Sequence, residues 1–273
     1  MVILAPVTSD DLAAEMLTLL GMAADAVAVA MCGQGEWGLF EGGDHAAQYH
    51  HDRTADRAAL AVLESADVAV LSEESGLRGG RVVGRVVVVV DPIDGSTNAS
   101  RRLPWWSTAL CAVDETGPWV AVVHDHDTGV RFHAVRGAGA FRTVPGGAPE
   151  RVVRPDTPPL AGAVVSLAGW PPRHYGWAQF RAYGSLALEL CAVADGRLDG
   201  HVQFVTDEVA AWDYLAGALV CAEAGALVAD AFGRDLLDLD HAARRTPVAA
   251  GNGDLLSALL AARRDADESS SEA

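Results

Sequence analysis

The chain has 273 residues, half of them hydrophobic, and a formal net charge of −17. Its 20 basic residues are all arginine and form no basic stripe, which excludes a duplex-binding surface and gives an expectation of no nucleic-acid partner. No uninterrupted apolar run reaches membrane-spanning length, and the first ten residues lack a basic region and an apolar secretory core, so neither a membrane partner nor a leader is expected.

In chain order, Asp10 or Asp11 caps a first helix running to Met31, an apolar segment that reads as an ordinary packed helix. Residues 33–43 are glycine-rich and carry Trp37 and Phe40. A second helix is expected over 46–65. Residues 68–71 read as a short strand leading into Ser72-Glu73-Glu74-Ser75-Gly76, 77–80 as a turn, and 85–90 as a buried valine-rich strand. That strand stops at Asp91-Pro92-Ile93-Asp94-Gly95-Ser96-Thr97-Asn98, where Gly95-Ser96-Thr97 offers backbone N–H groups at an expected helix start, an anion site. Strands follow over 108–113, 120–124 and 130–134. Residues 143–159, with five prolines and two glycines, are the best internal boundary.

Beyond the boundary, 163–167 and 198–204 read as strands, 185–194 and 208–224 as helices, 227–229 and 248–250 as strands, and 254–262 as a last helix. Strand–helix alternation here argues α/β layering, whereas the first part looks α+β. The expected division is 1–145 and 160–264, with a disordered acidic, serine-rich tail over 265–273. Cys32, Cys111, Cys191 and Cys221 are widely spaced and form no CxxC, so they read as free thiols in a reducing cytoplasm.

Four carboxylates, Glu73, Asp91, Asp94 and Asp213 of Trp212-Asp213-Tyr214-Leu215-Ala216-Gly217, are placed where one site can gather hard cations. Oxygen donors suit Mg²⁺ or Ca²⁺ rather than zinc. Without a cation, acids at the ends of apolar segments repel one another. For Asp52, a helix-surface carboxylate and a catalytic one are both open readings. The run His124-Asp125-His126-Asp127 reads as an exposed hairpin turn, His50-His51 as helix surface, and the pairs Arg101-Arg102, Arg244-Arg245 and Arg263-Arg264 as solvated charge. Trp105 or Trp106 is read as core or as a wall of the site, and Tyr183 as packing or as pocket lining.

The three acidic motifs, in this order, resemble the inositol monophosphatase family. Gly137-Ala138-Gly139-Ala140-Phe141, Gly184-Ser185 and Gly196-Arg197-Leu198-Asp199-Gly200 add to the likeness, which spans about residues 10–262. The resemblance implies a layered α-β-α-β-α sugar-phosphatase sandwich, sensitivity to lithium, a homodimer, and a small phosphorylated metabolite as partner. It implies two or three Mg²⁺ ions: Glu73, Asp91 and the Ile93 carbonyl holding the first, and Asp91, Asp94 and Asp213 the second. Gly95 and Ser96 would bind phosphate, Ser96 and Glu73 would orient or deprotonate the attacking water with Asp52 as the partner acid, and Gly184, Ser185 and Gln203 would meet the substrate.

The chain departs from the family pattern in three places. Serine stands at position 72 for the usual glycine, no lysine stands between the first two helices, and Gln203 replaces the inositol-binding glutamate, with Glu208 as a possible substitute. The expected activity is hydrolysis of inositol-1-phosphate or a similar polyol or sugar phosphate. Histidinol phosphate, fructose 1,6-bisphosphate, 3′-phosphoadenosine 5′-phosphate and a catalytically idle regulatory module are the alternatives.

Overall fold

The computed structural model describes residues 9–32, 50–66, 68–79 and 86–271; the glycine-rich segment with Trp37 and Phe40 lies outside them. Two helices come first, α1 (Ser9–Met31) and α2 (His50–Leu63). An eight-stranded sheet follows, from β1 (Ala69–Ser72), β2 (Gly76–Arg78), β3 (Val87–Asp94), β4 (Ser107–Asp114), β5 (Gly117–Asp125), β6 (Arg131–Val135), β7 (Gly139–Thr143) and β8 (Glu150–Val152). Its order is β2-β1-β3-β4-β5-β6-β7-β8. The short α3 (Ser96–Ser100) sits between β3 and β4.

The second sheet holds β9 (Val164–Ala168), β10 (Gln179–Arg181), β11 (Gly200–Gln203), β12 (Leu227–Asp230) and β13 (Pro247–Ala250), in the order β10-β9-β11-β13-β12. Helices α4 (Leu186–Ala194) and α5 (Ala211–Ala224) interleave with these strands, and α6 (Gly253–Ser271) closes the described chain.

Strand periodicity builds the layers. In β3, Val88 and Val90 face a core with Leu20, Ala24 and Val27 of α1 and Ala59 and Leu63 of α2, while Val89 faces α4 and α5. Leu110 and Val122 repeat the first alternation, Cys111 and Val123 the second. Both faces of the first sheet are therefore covered, which is why its central strands read as unbroken apolar runs. A third core joins Val165, Val202 and Val248 to Leu255 and Leu259 of α6. The result is α1/α2, sheet, α4/α5, sheet, α6: a five-layered α/β sandwich, as expected.

Helix α1 has the length and apolarity to cross a membrane. Here one face of it, including Leu20, Ala23, Ala24 and Val27, is packed in the core, and Leu12, Met22 and Val29 are exposed.

Several expectations are corrected. The first sheet runs on past residue 145, because β8 within the proline-rich 143–159 segment pairs with β7. Leu77 and Arg78, read as part of a turn, belong to β2 and pair with β1. The tail is not disordered from 265: α6 continues through Ser271, with Ala262, Arg263 and Ala266 buried and Asp265 accepting hydrogen bonds from Arg173 and Tyr175. Arg263 is 1% exposed, its guanidinium donating to the Gln203 carbonyl (2.8 Å) and to Thr206, so it is a buried strut rather than solvated charge.

Candidate active site

Strand β3 delivers two acids to one place through a bulge. Asp91 pairs with Ala109, and three residues later Asp94 pairs with Ser107, only two positions along β4. Acids three apart on a regular strand face opposite sides; the extra residue brings both to the same side. The bulged backbone is satisfied locally. Ile93 N–H donates to Asp91 Oδ1 (2.9 Å), and the buried Thr108 hydroxyl donates to the Pro92 carbonyl (2.8 Å).

Thr108 Oγ1 also meets His126 Nε2 at 2.8 Å. With the hydroxyl hydrogen used on Pro92, His126 is the donor there. Burial pushes His126 down to about 3, so the ring is neutral, and it stacks on Trp106 with centroids 4.3 Å apart. The His124–Asp127 run is thus a partly buried prop for the bulge, not an exposed turn.

Asp94 is gripped from the other half of the molecule. Its Oδ2 accepts from Ser185 Oγ (2.6 Å) and Ala187 N–H (2.8 Å), and its Oδ1 from Leu186 N–H (3.3 Å). Burial pushes Asp94 up to about 6, against the lowering effect of these donors. Asp213, in the first turn of α5, accepts from Ala210 N–H at 2.6 Å; burial and then the Asp94 charge push it up to about 7. Glu73 follows β1. Burial first, then Asp213, holds it well above the carboxylate range, and burial and Glu73 do the same to Asp91. Glu73 and Asp91 share a carboxyl–carboxyl hydrogen bond.

Oxygens of Asp91, Asp94 and Asp213 lie within 4.8 Å of one another. They line a cleft of about 500 Å³ together with Asp52, Glu73, Glu74, Ile93, Gly95, Ser96, Thr97, Gly184, Trp212, His241 and Arg244. Asp52 is 4% exposed on this wall, so the helix-surface reading is replaced by a buried acid facing the cleft. Burial and the neighbouring Asp52 and Asp56 push Glu74 up to about 8. The serine in place of the usual glycine has a structural use: Ser72 Oγ donates to Asp56 Oδ1 of α2 at 2.6 Å.

Gly95 has φ +93°, and a Cβ there would approach Gly184 O and Trp105 O to 3.0 and 3.1 Å. Only glycine fits that close approach. The Asn98 side-chain amide donates to Trp105 O (2.9 Å) and Tyr183 O (2.6 Å), fastening the loop to the other half. Trp105 and Tyr183 stack 4.2 Å apart as part of this brace and do not line the cleft.

Three expected contacts take other forms. Ser96 Oγ donates to the Ile93 carbonyl (2.8 Å), not to Asp52. Ser185 is fully buried and holds Asp94 instead of facing a substrate. Gln203 is 1% exposed, donates to Glu208 Oε2 (2.6 Å) and is absent from the cleft wall. Gly184 does reach the wall, its N–H donating to Glu189 Oε1 (3.0 Å).

Sequence reasoning missed the support behind Gly184 and the basic part of the wall. Buried Glu189 meets His201 Nδ1 at 2.7 Å, and His201 Nδ1 also lies 2.9 Å from Ser166 Oγ. His241 lies 4.7 Å from the Trp212 ring and approaches the Glu73 carbonyl (3.1 Å). Arg244, read as solvated charge, reaches the cleft beside them. The tryptophan next to Asp213 was the one available signal.

Two sheets between three helical layers, with an acid-lined cleft where strand ends meet helix starts, define a class of α/β sandwich. The profile of the inositol monophosphatase family matches residues 41–268, and the chain belongs to that family. It is 34% identical over 196 residues to Nus factor SuhB of Pasteurella multocida, covering 66% of this chain and 70% of that protein. It is 32% identical over 190 residues to a fructose-1,6-bisphosphatase/inositol-1-monophosphatase of Archaeoglobus fulgidus, covering 68% and 71%. In fold it is similar to the inositol monophosphatase from Anabaena (TM-score 0.74, 23% identity, 93% and 96% of the two chains). It is likewise similar to the extragenic suppressor protein suhB from Bartonella henselae (TM-score 0.77, 23% identity, 92% and 98%).

Proposed function

We propose that the chain is a Mg²⁺-dependent phosphomonoesterase acting on inositol-1-phosphate or a similar polyol or sugar phosphate, working in the cytoplasm as a homodimer. The observation that carries this reading is the gathering of Asp91, Asp94 and Asp213 oxygens within 4.8 Å, in one cleft with Gly95, Ser96 and Thr97.

The donor set fits a hard divalent cation. It is all oxygen, burial and then mutual repulsion raise its acids, and a positive ion relieves that repulsion. Asp91, Asp94 and Asp213 would hold one ion, and Glu73, Asp91 and the Ile93 carbonyl a second. Such ions supply charge that stabilises both the attacking and the leaving oxygen of an in-line displacement.

The chain's own groups do the rest. The N–H groups at Gly95 and Ser96 hold phosphate oxygens. Glu73, on the cleft wall, accepts a proton from the attacking water. Asp52, on the same wall, orients that water. Ser96 fixes the Ile93 carbonyl through its 2.8 Å bond. The bonds from Ser185 and α4 keep Asp94 aimed at the cleft.

The name of the Archaeoglobus relative favours fructose 1,6-bisphosphate as a substrate to test beside inositol-1-phosphate. The name of the Pasteurella relative keeps a second reading, a regulatory binding module. One experiment separates them: phosphate release with Mg²⁺ or EDTA against inositol-1-phosphate, fructose 1,6-bisphosphate, histidinol phosphate and 3′-phosphoadenosine 5′-phosphate. Mg²⁺-dependent release, inhibited by Li⁺, is the expected result. A folded, Mg²⁺-binding protein that releases phosphate from none of them favours the regulatory module.

A further inference from the structure

The cleft wall carries six carboxylates and, among the described residues, one cation, Arg244. A guanidinium beside so many acids would ordinarily pair with one of them. Arg244 makes no ion pair with any described residue. Its Nη1 donates to the carbonyls of His241 (2.8 Å) and Ala243 (2.9 Å), and its guanidinium carbon lies 5.3 Å from the Trp212 ring centre. Trp212 is itself 4% exposed and in ring contact with His241. The guanidinium is therefore held in place by backbone and ring, while its Nε and Nη2 have no hydrogen-bond partner among the described residues.

We propose that Arg244 is a specificity residue that reads a second anionic group, phosphate or carboxylate, on the phosphomonoester; this rests on the phosphatase reading above. The scissile phosphate has its own cradle at Gly95–Thr97, on the loop after β3, whereas Arg244 enters from the segment between β12 and β13 beside α5. A cleft of about 500 Å³ is in the range that accepts a whole metabolite rather than a bare phosphate. The two free donors, on adjoining nitrogens of a planar fork, match the paired oxygens of a phosphate or carboxylate. Fixing the fork in advance reduces the ordering cost of binding. With cations neutralising the carboxylates, an anion at Arg244 meets a favourable field.

The test uses substrate pairs that differ only in the second charge: fructose 1,6-bisphosphate against fructose 1-phosphate, and 2-phosphoglycerate against glycerol 2-phosphate. For the Mg²⁺-loaded full chain, kcat/KM is expected to favour the doubly anionic member of at least one pair by about tenfold to a hundredfold, as for a charge-assisted hydrogen bond. The pair that responds tells phosphate from carboxylate. Arg244→Gln should bring that ratio to near one, chiefly through KM, and Arg244→Lys should restore part of it.

A wild-type ratio near one in both pairs overturns the proposal. So does an unchanged ratio in Arg244→Gln, which would leave Arg244 as a tether for its own loop. Failure of the phosphatase reading looks different: no pair member is hydrolysed. In that case calorimetric binding of the same four compounds to wild type and Arg244→Gln decides, since the proposal still requires tighter binding of a doubly anionic member that the substitution removes.

Discussion

Ser185 and Asp94, 91 residues apart, are joined by a 2.6 Å hydrogen bond in which the serine hydroxyl donates to the carboxylate. That bond couples a candidate cation ligand on β3 to the residue that starts α4. Ser185→Ala should weaken Mg²⁺ binding by about 10- to 100-fold, the range for losing a group that orients a ligand. Asp94 already sits at about 6, and loss of the donor moves it higher. The defect should therefore be larger at pH 6 than at pH 8. Mg²⁺ titrations of activity at the two pH values check this, and equal effects at both would remove the role given to the bond.

Asp91→Asn keeps the shape that accepts from Ile93 N–H but removes a charge from the middle of the cluster. Turnover should fall by at least about a hundredfold, the cost of losing one electrostatic group at a reacting centre. Wild-type turnover in this variant would sink the assignment of Asp91 as a cation ligand.

The acid cluster sets a pH dependence of stability. Asp94, Asp213 and Glu74 are raised to about 6, 7 and 8, and Glu73 and Asp91 lie well above their ordinary values. Between about pH 4 and 8 the folded, metal-free protein therefore binds more protons than the unfolded chain. Their contribution to stability is fully present below about pH 4 and is lost as the pH rises through these raised values. The melting temperature in EDTA should fall across that window, and the rise on adding Mg²⁺ should be larger at pH 8 than at pH 5. Scanning calorimetry at the two pH values, with and without Mg²⁺, checks both signs.

Gly217 faces α4 so closely that a Cβ would lie 2.7 Å from Leu190 Cβ and 3.1 Å from the Ala187 carbonyl. Gly217→Ala should destabilise the protein by about 1–3 kcal/mol through overpacking of the α4–α5 contact. Urea unfolding should show a lower midpoint with an unchanged slope.

The parts of the site legible in the sequence are those where one local segment carries both fold and chemistry. Asp91 and Asp94 interrupt an apolar strand, and Gly95 then turns the chain, so their joint position needs no distant contact to be read. Ser185 and Gln203 are not legible in this way, because burial and partners decide what they touch: the Ser185 hydroxyl donates to Asp94, and the Gln203 amide to Glu208. Arg244 looked like surface charge because its neighbours on the wall come from α5 and from beyond β1. The tail shows the same limit. Its acidic, serine-rich composition reads as disorder, yet Arg173 and Tyr175, some ninety residues away, hold Asp265 and the helix with it.

The acids of the cleft come from opposite sides of the chain's midpoint: Glu73 from just after β1, Asp91 and Asp94 from β3, and Asp213 from α5. Neither part by itself contains the three-oxygen cluster. Divalent-cation affinity is thus a gauge of assembly, and a chain split within residues 153–163 should regain tight binding only when its two fragments are mixed.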